Sequence, residues 1–324
     1  MPRLCDSDAV TLHGGFFQPD VGVDVVDVVV MGRKFVMNRA VLINSSGFFR
    51  AMLMGAWKDS SDGRPIALHD VDVTTFTAIA EYITKGKCTL VDDGLLLPTL
   101  RASHLLQIPQ LLDAAETAVR QRLCCENVIG AFQVSAAFDL HSLRAAAEAL
   151  MLRNLPEVVA LMIELPDDEV ELLKASCEAL ASLCKHGTSA VWRRRERAIE
   201  SGALDAVVAL MHRDALRPLG PDVEMQRAGC LAAANIYAGS QSYERKLRAD
   251  QAGALMFTLH AVLMLVNEAR SRFPDDSSLQ DAALRFLDTP GKAKGFGACG
   301  PSLVTLSLSS SCGLLLPMRP TTSV

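Results

Sequence analysis

A small mixed α+β unit followed by an all-α helical repeat is the fold class this sequence predicts, and three observations predict it. Asp24-Val25-Val26-Asp27-Val28-Val29-Val30-Met31 is a β-branched run that stops at Gly32-Arg33-Lys34 and resumes at Phe35-Val36, the pattern of a strand, a turn and a strand. From Asp92-Asp93-Gly94 to about residue 287 the apolar positions keep helical spacing almost without a break. Inside that stretch the triplet Gly202-Ala203-Leu204 returns as Gly253-Ala254-Leu255, displaced by 51 positions (202 to 253).

Each element of the N-terminal unit has a local reason. Arg39 to Ile43 and Gly47 to Met54 read as two short helices separated by the polar Asn44-Ser45-Ser46. Pro65-Ile66-Ala67-Leu68-His69 reads as a short strand. From Val73, the residues Phe76, Ile79, Ala80 and Ile83 recur at helical spacing, and Lys85-Gly86-Lys87 stops that helix before the strand-like Cys88-Thr89-Leu90.

Downstream, helices are punctuated at Pro98, Pro109, Pro156, Pro166, Pro218 and Pro221. The same displacement that relates the two triplets also matches Leu180 to Leu231, Ala181 to Ala232 and Arg194 to Arg245. A helical repeat leaves one apolar face of each unit uncovered, so units stack, and the stack exposes an extended groove suited to another chain. Armadillo and HEAT units usually run about 40 to 47 residues, and the excess length is assigned to the Pro-rich insertion Leu216 to Pro221. Two units are visible, with the helices from 127 to 165 capping one end. The tail from Asp288, rich in Gly and Ser without a period, is expected to be disordered.

Composition narrows the function classes. The chain has 324 residues, 50% of them hydrophobic, enough to bury the cores of two or three domains. Aromatics are only 5%, which favours helix contacts over a β sandwich. A net charge of -5 offers no sequence-independent attraction to phosphate backbones, so a protein partner is expected and nucleic acid is not. The nine cysteines contain no Cys-x-x-Cys pair, Met1 to Val10 lacks the apolar core of a secretory signal, and the apolar stretch Leu303 to Leu316 is broken by Ser and Gly. A soluble protein of the cytoplasm or nucleus, without membrane contact, is the expectation.

Taken together, Asp24-Val25-Val26, Gly32-Arg33-Lys34-Phe35, Ala40-Val41-Leu42, Ser45 through Met52 and Tyr82-Ile83-Thr84-Lys85-Gly86 resemble the BTB (POZ) domain, and Leu105 to Leu111 resembles its closing helices. The likeness runs from about residue 20 to 123 in the order of that family. Glu126-Asn127-Val128 through Val158 is similar to the BACK region, and 177 to 266 resembles armadillo repeats through its Gly-Ala-Leu helix starts. The division that follows is an extension at 1–19, a BTB/POZ domain at 20–123, BACK-like helices at 124–165, armadillo-like repeats at 166–287 and a tail at 288–324.

What this resemblance implies is a non-catalytic adaptor without cofactor or metal: a homodimer that docks a cullin-3-type scaffold and holds a substrate protein in the armadillo groove for ubiquitination. A scaffold or transcriptional co-regulator without a ligase role is the second expectation. By the same resemblance Trp57, Lys58 and Asp59 match the hydrophobic-x-acid motif that touches the cullin, Trp57 as anchor and Asp59 as acid, and Asp24 and Arg39 match the charged pair under the dimer groove. Asn38 stands where the family usually has a histidine, and Asp59 is one methylene shorter than the commoner glutamate. Read from chemistry alone, Trp57 is either a binding anchor or a core residue closing its own domain. Asp24 with Arg39 reads as a surface ion pair worth at most about 1 kcal/mol.

Other motifs carry less. Gly295-Phe296-Gly297-Ala298-Cys299-Gly300 spells a dinucleotide pattern with no strand before it. Cys177, Cys184 and His186 are too few for a zinc site and fit helix packing. Arg193-Arg194-Arg195-Glu196-Arg197 beside Trp192 reads as the wet face of a helix, with a nuclear-import or nucleic-acid patch as the other reading.

Overall fold

The β-branched run pairs as a hairpin in the computed structural model, which describes residues 10–13, 24–54, 65–90, 93–166, 169–185, 191–218, 220–237 and 252–291. Strand β2 (Val25–Val30) runs antiparallel to β3 (Arg33–Asn38), with Val25 opposite Asn38 and Val30 opposite Arg33. The two-residue turn between them places Met31 at φ 45 and Gly32 at φ 83. Positive φ at both positions is the geometry that matches strand twist, and Gly32 adopts it without a Cβ clash. β4 (Ile66–Leu68) adds parallel to the other edge of β2, giving the order β3-β2-β4. Val28 and Val30 point inward and are fully buried, as period-two alternation requires. A second, separate sheet joins β1 (Val10–His13) to β5 (Lys87–Leu90), with Leu12 opposite Cys88.

Helices α1 (Arg39–Ser45), α2 (Gly47–Met54) and α3 (Val73–Lys85) surround the larger sheet. Asn38 caps α1 by accepting the Val41 N–H at 3.2 Å, and Asp72 caps α3 by accepting the Thr75 N–H at 2.8 Å. Gly86, at φ 71, closes α3 in the left-handed conformation. The start of α2 is capped by a different element. Its Gly47 N–H donates to the Gln107 carbonyl at 3.0 Å, and the Ser46 hydroxyl donates to the Leu106 carbonyl at 2.5 Å. Those carbonyls belong to the turn between α4 (Leu96–Leu105) and α5 (Pro109–Gln121), where Gln107 takes φ 52. Pro109 begins α5 where no backbone donor is needed. Pro98, expected to interrupt a helix, instead lies in the first turn of α4, where its missing N–H costs nothing.

The remaining described elements are helices: α6 (Val128–Ala137), α7 (His141–Arg153), α8 (Leu155–Glu164), α9 (Val170–Leu183), α10 (Val191–Glu200), α11 (Ala203–Ala215), α12 (Val223–Tyr237), α13 (Ala252–Arg272) and α14 (Ser277–Gly291). They stack in two layers. α9, α12 and α14 lie side by side in one, α8, α11 and α13 in the other, and α10 packs across α8, α9, α11 and α12. The 51-residue displacement lays α9 over α12 and α11 over α13, so the sequence period corresponds to one step of the stack. Contact between layers is close because Gly229 of α12 meets Met211 of α11; a Cβ there would lie 2.4 Å from Met211 Cγ. Asn235 of α12 donates to the Ala181 carbonyl of α9 at 2.9 Å, tying consecutive steps. α14 runs through Gly291, four residues past the boundary drawn at 287, and the rest of the tail lies outside the described residues.

Two hydrophobic cores result, one in each unit, and α6 contributes to both. Its Ala131 and Val134 pack into the N-terminal core, while Val128, Ile129 and Phe132 pack into the helical one. No helix among the described residues is long and apolar enough to cross a membrane.

Candidate interaction surfaces

The start of β2 and the start of α1 bring Asp24 and Arg39 together. The Arg39 N–H donates to the Asp24 carbonyl at 2.9 Å, and Arg39 Nε lies 3.7 Å from Asp24 Oδ2. The guanidinium makes its shorter contact elsewhere, donating from Nη2 to the Leu53 carbonyl at 2.7 Å near the end of α2. Asp24 is largely exposed, so the ion pair is weak, as expected for a solvated pair. Beside it, Val25 and Val36 on the outward face of the sheet and Met54 at the end of α2 are exposed apolar side chains. The three residues Trp57, Lys58 and Asp59 lie outside the described residues, in the segment joining α2 to β4.

Where the two units meet, a cleft of about 1190 Å3 opens. Its floor is apolar, formed by Val71, Leu97, Pro98, Val134, Val170 and Leu172. Its rim is acidic, with Asp70, Asp72, Glu169, Glu171 and Asp222. The two cations on the rim are already engaged: Arg101 donates to Gln133 Oε1 at 2.6 Å, and Arg217 lies 3.7 Å from Asp214. One wall is the connection between α11 and α12, and a buried carboxylate holds it. Asp214 is fully buried and accepts the Asp222 N–H at 3.1 Å on each oxygen and the Gln226 side-chain amide at 2.6 Å. Burial raises its pKa above the usual carboxylate value, against the hydrogen bonds that favour the charged form. Asp222 in turn caps α12 through the Met225 N–H at 2.8 Å.

On the open face of α9 and α12 the charges neutralise one another. Lys174 pairs with Glu224 at 2.9 Å and Arg227 pairs with the same carboxylate at 2.9 Å, while on the adjacent α7 Arg144 pairs with Glu148 at 3.3 Å. Burial lifts the Glu178 carboxyl on that face, while Lys174 draws it back.

The basic run on α10 is not uniformly wet. Arg195 is 3% exposed, and its guanidinium donates from Nε and Nη2 to the Cys184 carbonyl at 3.0 and 2.9 Å. Arg193 and Arg197 are exposed and Arg194 half-buried. Cys177 and Cys184 are buried in α9 and its cap, as the packing reading requires; burial pushes the Cys184 thiol up to about 12 and Cys177 higher still, so neither is a thiolate at neutral pH. His186 lies outside the described residues. Among the described residues no group of three or more His, Cys, Asp and Glu side chains is placed to hold a metal ion. Sequence reasoning missed the cleft and the inward Arg195. The cleft is assembled from five stretches far apart in the chain, whereas Arg195 had one local signal, its place on the same helical face as the apolar Val191 and Ala198.

Comparison with known proteins identifies the N-terminal unit. Residues 15–123 match the BTB/POZ domain family. The chain is 28% identical to Kelch-like protein 38 of Homo sapiens over 135 residues, 42% of this chain and 23% of that protein. It is 30% identical to BTB/POZ domain-containing protein 9 of Rattus norvegicus over 175 residues, 50% of this chain and 29% of that one. Kelch-like protein 21 of Homo sapiens is 31% identical over 141 residues, 44% of this chain and 23% of the relative. The chain thus spans about a quarter of the length of the curated relatives it matches. Its N-terminal part is a BTB/POZ domain.

Proposed function

We propose that this protein is a non-catalytic protein-interaction adaptor whose BTB/POZ domain pairs with a second copy and docks a cullin-type scaffold, while the helical stack holds a substrate for ubiquitination. The observation that carries the reading is the BTB/POZ match over 15–123, joined through α6 and α7, which contribute to both cores, to a unit that has an open, stacked-helix face. The BACK-like and armadillo-like assignments of that second unit belong to the same proposal, supported by the 51-residue period and the two-layer stacking.

Three features favour pairing and docking. Among the described strands β1 bonds only to β5, in a sheet of its own, and a strand held by one neighbour is readily exchanged between two copies. Val25, Val36 and Met54 leave an apolar patch uncovered around Asp24 and Arg39. The cleft between the units, apolar beneath and acidic at its rim, begins at Asp70, shortly after the segment that carries Trp57 and Asp59, and suits a basic extended segment of the docked scaffold.

The test is a cullin pull-down from lysate with the full chain, comparing wild type with Trp57→Ala and Asp59→Lys, alongside light scattering of the purified protein. Retention of the cullin by wild type and its loss from both variants, with a dimer in solution, supports the proposal. A strictly monomeric protein, or cullin capture indifferent to both substitutions, removes it.

A further inference from the structure

On the stacked unit, charge is unevenly satisfied. Lys174 of α9, Arg227 of α12 and Arg144 of α7 sit in ion pairs with neighbouring carboxylates. On α10, Arg193, Arg194 and Arg197 make no ion pair with a carboxylate among the described residues. Arg193 stacks over the Trp192 ring at 5.3 Å, and Arg197 reaches a backbone oxygen, that of Arg153, at 3.5 Å. That contact sets Arg197 beside the end of α7, where the Arg153 side chain is itself exposed. These three guanidinium groups therefore share one short helix, with the exposed Arg153 at the neighbouring helix end, on a chain whose net charge is -5.

Crowding of this kind is unfavourable in isolation. Arg193 and Arg197 stand four apart, Arg194 and Arg197 three apart, and like charges at those spacings repel along a helix, an effect that Glu196, three after Arg193, and Glu200, three after Arg197, only partly offset. The helix cannot roll to disperse them, because Arg195 anchors its opposite face to the Cys184 carbonyl with two hydrogen bonds. Trp192, half exposed at 49%, stands on the same outward arc. Guanidinium groups that lack a carboxylate partner among the described residues, beside an aromatic platform, form a surface complementary to carboxylates flanking an apolar side chain.

We propose that α10 is a docking ridge for an acidic segment of a partner protein, with Arg193, Arg194 and Arg197 pairing its carboxylates and Trp192 covering its apolar residue. A nucleic acid fits less well: Glu196 and Glu200 interrupt the ridge, which a continuous phosphate chain would have to pass, while separate carboxylates can avoid them. The inference goes beyond the adaptor reading and depends on neither dimerisation nor cullin docking.

The experiment uses the full chain in a Trp57→Phe background, so that Trp192 is the only tryptophan. A fluorescein-labelled peptide of alternating glutamate and alanine, about twelve residues long, is titrated by anisotropy while Trp192 emission is followed. Wild-type ridge residues should give saturable binding that weakens with salt, a change in Trp192 emission, and affinity roughly tenfold or more better than that of Arg193→Glu/Arg194→Glu/Arg197→Glu. The milder Arg193→Gln/Arg197→Gln, checked by circular dichroism, should lose affinity in the same direction and serves if the triple variant does not fold. Equal binding by wild type and folded variant, absence of peptide binding, or tighter binding of a thymidine oligonucleotide of equal length would each overturn the proposal.

Discussion

Arg195 of α10 and Cys184 at the end of α9 are joined directly: the buried guanidinium of one donates twice, at 3.0 and 2.9 Å, to the backbone oxygen of the other. Cys184 ends α9, where carbonyl groups lack intrahelical donors and the helix dipole is negative, so a cation there satisfies both needs. Arg195→Leu keeps the packing but removes the donors, and should lower unfolding free energy by about 2–4 kcal/mol, read from urea midpoints. Arg195→Lys should recover only part, since an ammonium cannot offer two parallel donors. Unchanged midpoints would show that the cap is not needed.

Asp214 should give the stability curve a recognisable pH dependence. Its folded pKa is raised by burial, so the folded chain holds the proton more tightly than the unfolded chain. The folded state gains as pH falls toward the ordinary carboxylate value and loses that gain as pH rises through the raised one. Relative to Asp214→Asn, wild type should therefore be most stable below the ordinary carboxylate value, about 4, and lose ground as pH rises above it. The opposite trend in urea unfolding would mean that the Asp222 and Gln226 hydrogen bonds outweigh burial.

Gly229 tests how closely the layers must approach. Gly229→Val places new atoms where Met211 already lies, with a Cβ 2.4 Å from its Cγ and 2.6 Å from its sulfur, and should cost about 1–3 kcal/mol. Combining it with Met211→Ala reopens the space, so the double variant should be less destabilised than the two single losses predict. Simple additivity in thermal melts would place the strain elsewhere.

Asp24 and Arg39 should not prove equivalent. Asp24→Ala removes an exposed carboxylate 3.7 Å from its partner and should change stability by less than about 1 kcal/mol. Arg39→Ala also removes the 2.7 Å bond to the Leu53 carbonyl and should cost more, about 1–2 kcal/mol. Equal losses on denaturation would mean that the Leu53 bond contributes nothing.

What the sequence revealed follows from how local each signal is. The β2-β3 hairpin is written in adjacent letters, a β-branched run and a turn at Gly32, and the end of α3 is written in Gly86. Asp24 and Arg39 meet because paired strands bring the start of β2 beside the end of β3, so their proximity too was legible. Pro98 was misread because proline breaks a helix interior but not its first turn, and only the observed start at Leu96 distinguishes the two. The run Arg193 to Arg197 suggested a solvated face because charge is the stronger cue, whereas Arg195 turns inward to a carbonyl eleven residues earlier. The cleft was illegible altogether. Asp70, Pro98, Val134, Glu171 and Pro221 share a wall only after both units have folded, and no local pattern encodes that.

The double allegiance of α6 has a mechanical consequence. A helix that surrenders Ala131 and Val134 to one interior and Ile129 and Phe132 to the other cannot act as a swivel, because turning either half would unseat side chains in both. The far half is thus presented at a set bearing to the N-terminal one, like a bracket bolted to its post, and if the proposed partners bind, they would meet at a repeatable distance without the search that a loose tether demands.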